Sequence, residues 1–327
     1  MSLVRAAFFV CGGFLFPGEE GPACGDDRLV WKSGDIELVG TLMLPEGEQP
    51  HPLVIFVQGS GCIPRNVPQM REHSLRLTKM GLASFVYDKR GCGESGGDWR
   101  KVGLEPLAED LTGAIKMLAA DPRIDSKRIG LMGLSQGAWV SLMGASRERG
   151  IAFLVWLSGP PMTPAQQGAE IIRLGMKAKG WDQKSIQKAL DLNDAVVNVY
   201  RTDTGWEQVA ARIEIARAEP WFKDSCVNLQ SRDSWNWRWY ASFFDYDPVP
   251  ALQSLKIPFL AIYGSQDQIV PAAKSSRLID EMRASGFSRT TCILKGVGHY
   301  LGGKEGAWPD LYWKQLRRFF SEQGVLK

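Results

Sequence analysis

Residues Arg128 to Arg147, RIGLMGLSQGAWVSLMGASR, change character in the middle. RIGLM (128–132) has the length and apolar content of a buried strand, whereas QGAWVSLMGASR (136–147) reads as a helix. Between them stands Gly133-Leu134-Ser135-Gln136-Gly137. A sharp strand-to-helix turn at such a Gly-x-Ser-x-Gly exposes the serine hydroxyl and aims helix N–H groups at negative charge developing beside it. Glycines at 133 and 137 leave room for the turn and for close packing of helix on strand. The spacing alone arises often by chance; its strand–turn–helix setting gives it weight.

Working outward, the same alternation continues in both directions. Upstream, two short strands lie between Val30 and Leu44, joined near Ser33-Gly34-Asp35. LVIFVQ (53–58) and ASFVY (83–87) are buried strands, and helices are expected at 68–80 and 104–120. Downstream, AFLVWL (152–157) is a strand; IPFLAIY (257–263), a helix at 272–285, a strand at 290–294 and a helix at 309–322 come later. This rhythm predicts an α/β fold, a mostly parallel central sheet with helices on both faces. It breaks at SGPPMTP (158–164), after which residues 161–248 show helical patterns, at 165–179, 183–200 and 206–222, and no strand, ending in the aromatic run SWNWRWYASFF (234–244). The expected organisation is a core of 28–160 and 249–327, a helical cap insert at 161–248, and an N-terminal segment at 1–27.

Three other motifs compete with Ser135. RGCGESGGD (90–98) contains Gly91-x-Gly93-x-x-Gly96, the spacing of a dinucleotide-binding turn, and also Gly93-x-Ser95-x-Gly97. Both chemistries need a helix immediately afterwards. The next residues, GGDWRKVGLE, are too glycine-rich and unpatterned to start one, so both readings fail. Near the C-terminus, Gly298 to Lys304 fits GxxxxGK, but Glu305 replaces the required Ser or Thr and would repel phosphate.

A serine needs a base, and the chain offers three histidines. His51 precedes LVIFV, at the wrong end of that strand, and His73 lies in a helical stretch where a solvated face is expected. His299, in KGVGHY after the strand 290–294, falls at the C-terminal edge of the sheet, where open parallel sheets meet their ligands. Asp267, in YGSQDQIVP after IPFLAIY, stands at the same edge and suits the carboxylate that orients the base. Asp245 and Asp247 precede that strand instead. The order Ser135, Asp267, His299 is that of one hydrolase fold. Oxyanion donors are expected from the backbone N–H of Gln136 and of Ser60, the latter in the turn Gln58-Gly-Ser-Gly-Cys62.

With 39 basic and 36 acidic residues the net charge is +3, and no basic run with interleaved aromatics suggests nucleic acid. No apolar segment is long enough to span a bilayer. The run AAFFVCGGFLF (6–16), followed by Gly21-Pro22-Ala23, reads as an export signal or as an ordered arm. The compartment is accordingly left open between cytoplasmic and exported. The six cysteines lack metal-like spacing, so no metal is expected; Cys62 and Cys92 are the pair to join if the protein is exported.

Through LVIFVQGSGC, ASFVYDKRGCGESGG, RIGLMGLSQGA, FDYDPVPALQSLKIPFLAIYGSQDQIVP and GVGHY the chain resembles the α/β-hydrolase family. More closely it looks like bacterial serine esterases of the dienelactone-hydrolase and acyl-peptidase-like branch. The resemblance covers about 30–160 and 249–323, and departs from the family where the usual His-Gly of the oxyanion strand is Gln58-Gly59. It implies that YDKRGCGES is a structural turn at the pocket edge. The expected activity is hydrolysis of small-molecule carboxylic esters with short to medium acyl chains, without a cofactor. Gly59, Trp235, Trp239 and Phe243 are expected to line the substrate pocket, although the aromatic residues equally suit packing of the cap on the core. An acyl-CoA thioesterase, a peptidase, and a non-catalytic binding protein on the same scaffold are the alternatives.

Overall fold

The computed structural model describes residues 26–282, 289–302 and 308–326. The export-signal or arm segment therefore lies almost wholly outside the described residues. Eight strands form one sheet in the order β1-β2-β4-β3-β5-β6-β7-β8. They are β1 (Asp26–Ser33), β2 (Ile36–Met43), β3 (His51–Val57), β4 (Ala83–Tyr87), β5 (Ile124–Leu134), β6 (Ile151–Leu157), β7 (Phe259–Gly264) and β8 (Arg289–Leu294). β3 to β8 run parallel, and β2 pairs antiparallel with both β1 and β4. The mostly parallel sheet expected from the alternation is present.

The strands have the sequence of strands covered on both faces. Every residue of β3 (HPLVIFV) and of β4 (ASFVY) is buried, which only a sheet sandwiched between helical layers permits. One face packs under α2 (Leu104–Ala119) and α3 (Gln136–Arg147), through Leu107, Leu111, Leu142 and the strand residues Leu53, Ile55 and Leu131. The other packs under α1 (Pro68–Thr78) and α10 (Asp310–Glu322), through Leu77, Tyr312, Leu316 and Phe320 against Val54, Phe56 and Val155. α9 (Ala272–Glu281) connects β7 to β8.

Between β6 and β7 the chain forms α4 (Pro164–Ala178), α5 (Gln183–Thr202), α6 (Trp206–Ala216), α7 (Trp235–Ala241) and α8 (Val249–Ser254), with no strand among the described residues. The starts are encoded locally. Thr163 and Gln166 form a reciprocal capping box with Pro164 at the first helical position, Asp182 caps α5, and Ser234 caps α7.

Four expectations are corrected. β5 begins at Ile124 rather than Arg128, because His51 of β3 extends the pairing to a polar stretch that is only partly covered. α6 stops at Ala216, short of Phe222, and α8 is an additional element, because Pro248 and Pro250 hide so short a helix in the sequence. His73 does not face solvent. It is buried among Phe56, Trp308 and Trp313 and shares a 2.8 Å hydrogen bond with the Tyr312 hydroxyl. That burial lowers its pKa to about 3.

Candidate active site

The strand order reverses direction at β3. The chain goes from β3 to β4 on one side and then to β5 on the other, which opens a crevice beyond the carboxyl ends of β3 and β5. Ser135 sits there, at the junction of β5 and α3, with φ 54° and ψ −120°. A non-glycine residue held at positive φ is strained. The cause is visible in its neighbours. A Cβ on Gly133 would stand 2.3 Å from Gly137 O, and one on Gly137 would stand 2.1 Å from Val57 O. The helix is pressed so closely on β3 and β5 that the turn has no slack. Ser135 N donates to Leu157 O of β6 at 2.8 Å, while the Ser135 side chain makes no cap bond to its own helix. The hydroxyl is thus left for other work.

Asp267 and His299 follow β7 and β8 and meet at the same edge of the sheet. His299 Nδ1 lies 2.8 Å from Asp267 Oδ2. The other carboxylate oxygen accepts the N–H groups of Ile269 and Val270, each at 2.8 Å. The Asp267 side chain is fully buried and that of His299 nearly so. With an ionised carboxylate as acceptor, Nδ1 carries the ring proton and Nε2 keeps its lone pair. The two loops are tied to each other, since Gln266 N donates to Val297 O and Gly296 N to Ser265 Oγ, each at 2.9 Å. Ser135 and His299 are not joined by a hydrogen bond among the described residues.

The turn after β3 lies directly against the serine. A Cβ on Gly59 would stand 3.3 Å from Ser135 Cβ and 3.1 Å from Leu134 O. Ser60 is exposed and Gln136 buried. Gln58 donates Nε2 to Tyr87 O at 3.3 Å, anchoring the turn to β4.

The RGCGES segment is structural in its contacts. Ser95 is buried, and its hydroxyl donates to Asp88 O at 2.7 Å and accepts from Val39 N at 2.9 Å. Asp88 binds Arg65 and accepts Glu94 N at 3.0 Å, and Arg90 forms a two-pronged pair with Asp110 at 2.7 and 2.6 Å. A disulfide joins Cys92 of this segment to Cys62 of the Gly59–Ser60 turn, with Cα atoms 5.5 Å apart.

Of the aromatic residues singled out from the sequence, Trp239 and Phe243 are buried and Trp235 is half-buried. Trp235 and Trp239 pack edge-on against Trp99, at ring distances of 5.3 and 5.6 Å. Phe243 packs on Trp239 and Trp139 and also lines a cavity of about 310 Å³ with Leu104, Met143 and Tyr246. That cavity is lined by none of Ser135, Asp267 and His299. Sequence reasoning missed Lys89, whose buried ammonium donates to Gly59 O, and Trp99, whose ring centroid is 5.8 Å from it. The available signal was a charged triplet, Asp88-Lys89-Arg90, placed immediately after a fully buried strand. Among the described residues no group of three His, Cys, Asp or Glu side chains is arranged to hold a metal ion, and no helix is long and apolar enough to cross a membrane.

Comparison with known proteins agrees with this architecture. The model of the X-Pro dipeptidyl-peptidase family S15 matches residues 33–300. The chain belongs to the S15 family. An uncharacterised 31.7 kDa protein from the traX-finO intergenic region of Escherichia coli is 32% identical over 115 residues, 35% of this chain and 40% of that relative. The match thus spans less than half the length of this curated relative. A thiohydrolase of Eupenicillium brefeldianum is 26% identical over 261 residues, covering 76% of this chain and 79% of its own. Among solved structures, the Pyrococcus furiosus esterase Pf2001 superposes with a TM-score of 0.60 at 18% identity, over 94% of this chain and 98% of the esterase. Membership of S15 and this likeness of fold agree on an α/β hydrolase.

Proposed function

We propose that this S15 member is a serine hydrolase that cleaves carboxylic esters of short to medium acyl chains through an acyl-enzyme on Ser135. The observation that carries the reading is the 2.8 Å bond between His299 and a buried, doubly anchored Asp267, on the same sheet edge as a serine strained at positive φ. His299 Nε2 takes the Ser135 proton as Oγ attacks the carbonyl carbon. The N–H groups of Ser60 and Gln136 receive the oxyanion. Collapse expels the alcohol, protonated by His299, and water then releases the acid by the reverse roles. Helices α4 to α7 form the cap, and Gly59 with Trp235, Trp239 and Phe243 bounds the acyl side of the pocket.

Membership of a family described by X-Pro dipeptidyl-peptidase favours a second reading, an amide rather than ester substrate. The likeness to a thiohydrolase adds thioesters. Ser135, His299 and Asp267 serve all three, because a triad does not encode the leaving group.

The test is covalent labelling by a fluorophosphonate. Labelling is expected in the wild type and in Ser95→Ala and lost in Ser135→Ala; full labelling of Ser135→Ala would defeat the assignment. Rates on p-nitrophenyl esters of two to twelve carbons, acyl-CoA thioesters and X-Pro p-nitroanilides then rank the substrates. Ester activity rising steadily beyond eight carbons would remove the short-chain reading, and a dominant X-Pro rate would replace esters with peptides.

A further inference from the structure

Lys89 is the one member of the Asp88-Lys89-Arg90 triplet without an ionic partner among the described residues. Asp88 is paired with Arg65 and Arg90 with Asp110. A buried lysine lacking a carboxylate is costly, since the ammonium loses its hydration. Burial lowers its pKa to about 7. What it gains is specific. Nζ donates to Gly59 O and approaches Gln136 Oε1 at 3.4 Å, under the face of Trp99.

Gly59 C=O and Ser60 N–H belong to one peptide unit. A trans peptide is planar, with its carbonyl and N–H pointing in opposite directions. An ammonium that holds the carbonyl on one side therefore turns the N–H to the other, and Gly59 stands against Ser135. The same ammonium steadies the side chain of Gln136, the residue carrying the second N–H. A charge-assisted bond to the carbonyl also polarises the amide, strengthening its N–H as a donor.

We propose that Lys89 is the positioning residue of the oxyanion site, its ammonium orienting the Gly59–Ser60 peptide so that Ser60 N–H faces the carbonyl oxygen of a substrate bound at Ser135. The assignment rests on the serine-hydrolase reading and deepens it. Lys89 touches neither substrate nor serine in this role; it acts through the peptide.

Loss of an oxyanion donor costs on the order of 10²–10³ in kcat, and loss of the group that aims one is expected to cost about tenfold to a hundredfold by the same principle. The experiment compares wild type, Lys89→Met and Lys89→Arg on a p-nitrophenyl ester that the wild type hydrolyses, with inhibition by a boronic acid that mimics the tetrahedral anion. Lys89→Met is expected to lower kcat by that factor with KM within about threefold, and to weaken the boronate in parallel. Lys89→Arg is expected to recover part of both. Folded Lys89→Met with wild-type kcat, or with KM raised and kcat unchanged, overturns the proposal, because a merely structural lysine would not act on the charged mimic. Should Lys89→Met fail to fold, Lys89→Gln, one bond too short for the same reach, carries the test with the same outcomes. A wild type that neither labels with fluorophosphonate nor turns over ester sinks the hydrolase reading itself; a labelled, active wild type with unaffected Lys89 variants sinks only this assignment.

Discussion

Residues 93–97 and 133–137 carry the same Gly-x-Ser-x-Gly spacing; the first follows β4 and the second closes β5 of the same sheet. The backbone on the C-terminal side of each serine separates them. After Ser135 a helix begins at once, and the hydroxyl is left without a capping role. After Ser95 the chain turns through Gly97 at φ +85°, and the hydroxyl is consumed by Val39 N and Asp88 O. Even the glycines are needed for different reasons. Gly93, at φ +51°, gives space to the Asp88 carboxylate, whereas Gly137 gives space to the backbone of β3. The same spacing thus leaves one hydroxyl without a capping role and consumes the other, according to the element that follows.

The strongest blow to this contrast would come from Asp267→Asn. If Ser135 is the working corner, the substitution puts the wrong tautomer on His299 and lowers kcat by about 10⁴, measured as ester turnover at unchanged thermal stability. A loss under tenfold would mean that the Asp267–His299 bond is structural.

The disulfide ties the first of these corners, through Cys92, to the Gly59–Ser60 turn that lies against the second, so its removal shows how far the two depend on each other. Cys62→Ser with Cys92→Ser is expected to lower unfolding free energy by about 3–4 kcal/mol, as for a loop of this length, read from urea titration. Unchanged stability would show that the loops hold their places without it.

Ser95→Ala sharpens the comparison from the other side. Leaving Val39 N without its partner should cost about 1–3 kcal/mol of stability, while kcat of the folded fraction stays within twofold. Lost turnover at native stability would assign Ser95 a chemical role.

The smallest effect is a pH baseline. His73 is neutral in the fold until about pH 3, but takes its proton near 6.5 once unfolded. The unfolded chain therefore binds more protons across that window, and stability falls as pH drops through it. Between pH 6.5 and 5.5 the loss is about 1 kcal/mol, and the slope should flatten in His73→Leu. Activity lost beyond that slope belongs to the site rather than to the fold.

Much of the architecture was legible because the elements are defined by local chemistry. α3 starts and ends where its pattern does, at Gln136 and Arg147, and β4 is the whole of ASFVY. Asp267 and His299 could be chosen because chain direction in a parallel sheet puts every strand's end on one edge. Burial of a polar residue was less legible. His73 looked like a surface residue because its neighbours in sequence, Arg71, Glu72 and Arg76, are charged. The rings that enclose it come from α10 and the segment before it, some 240 residues later.

By itself the sequence determined the strand-and-helix rhythm, the corner at Ser135 and the edge on which Asp267 and His299 stand, because periodicity, glycine spacing and strand polarity are local properties. The tertiary structure alone decided that Asp267 and His299 touch, that Cys62 and Cys92 join, and that Lys89 reaches the Gly59 carbonyl. Those contacts depend on which strands become neighbours, and pairing in space is set by the packing of the whole sheet and its two helical layers.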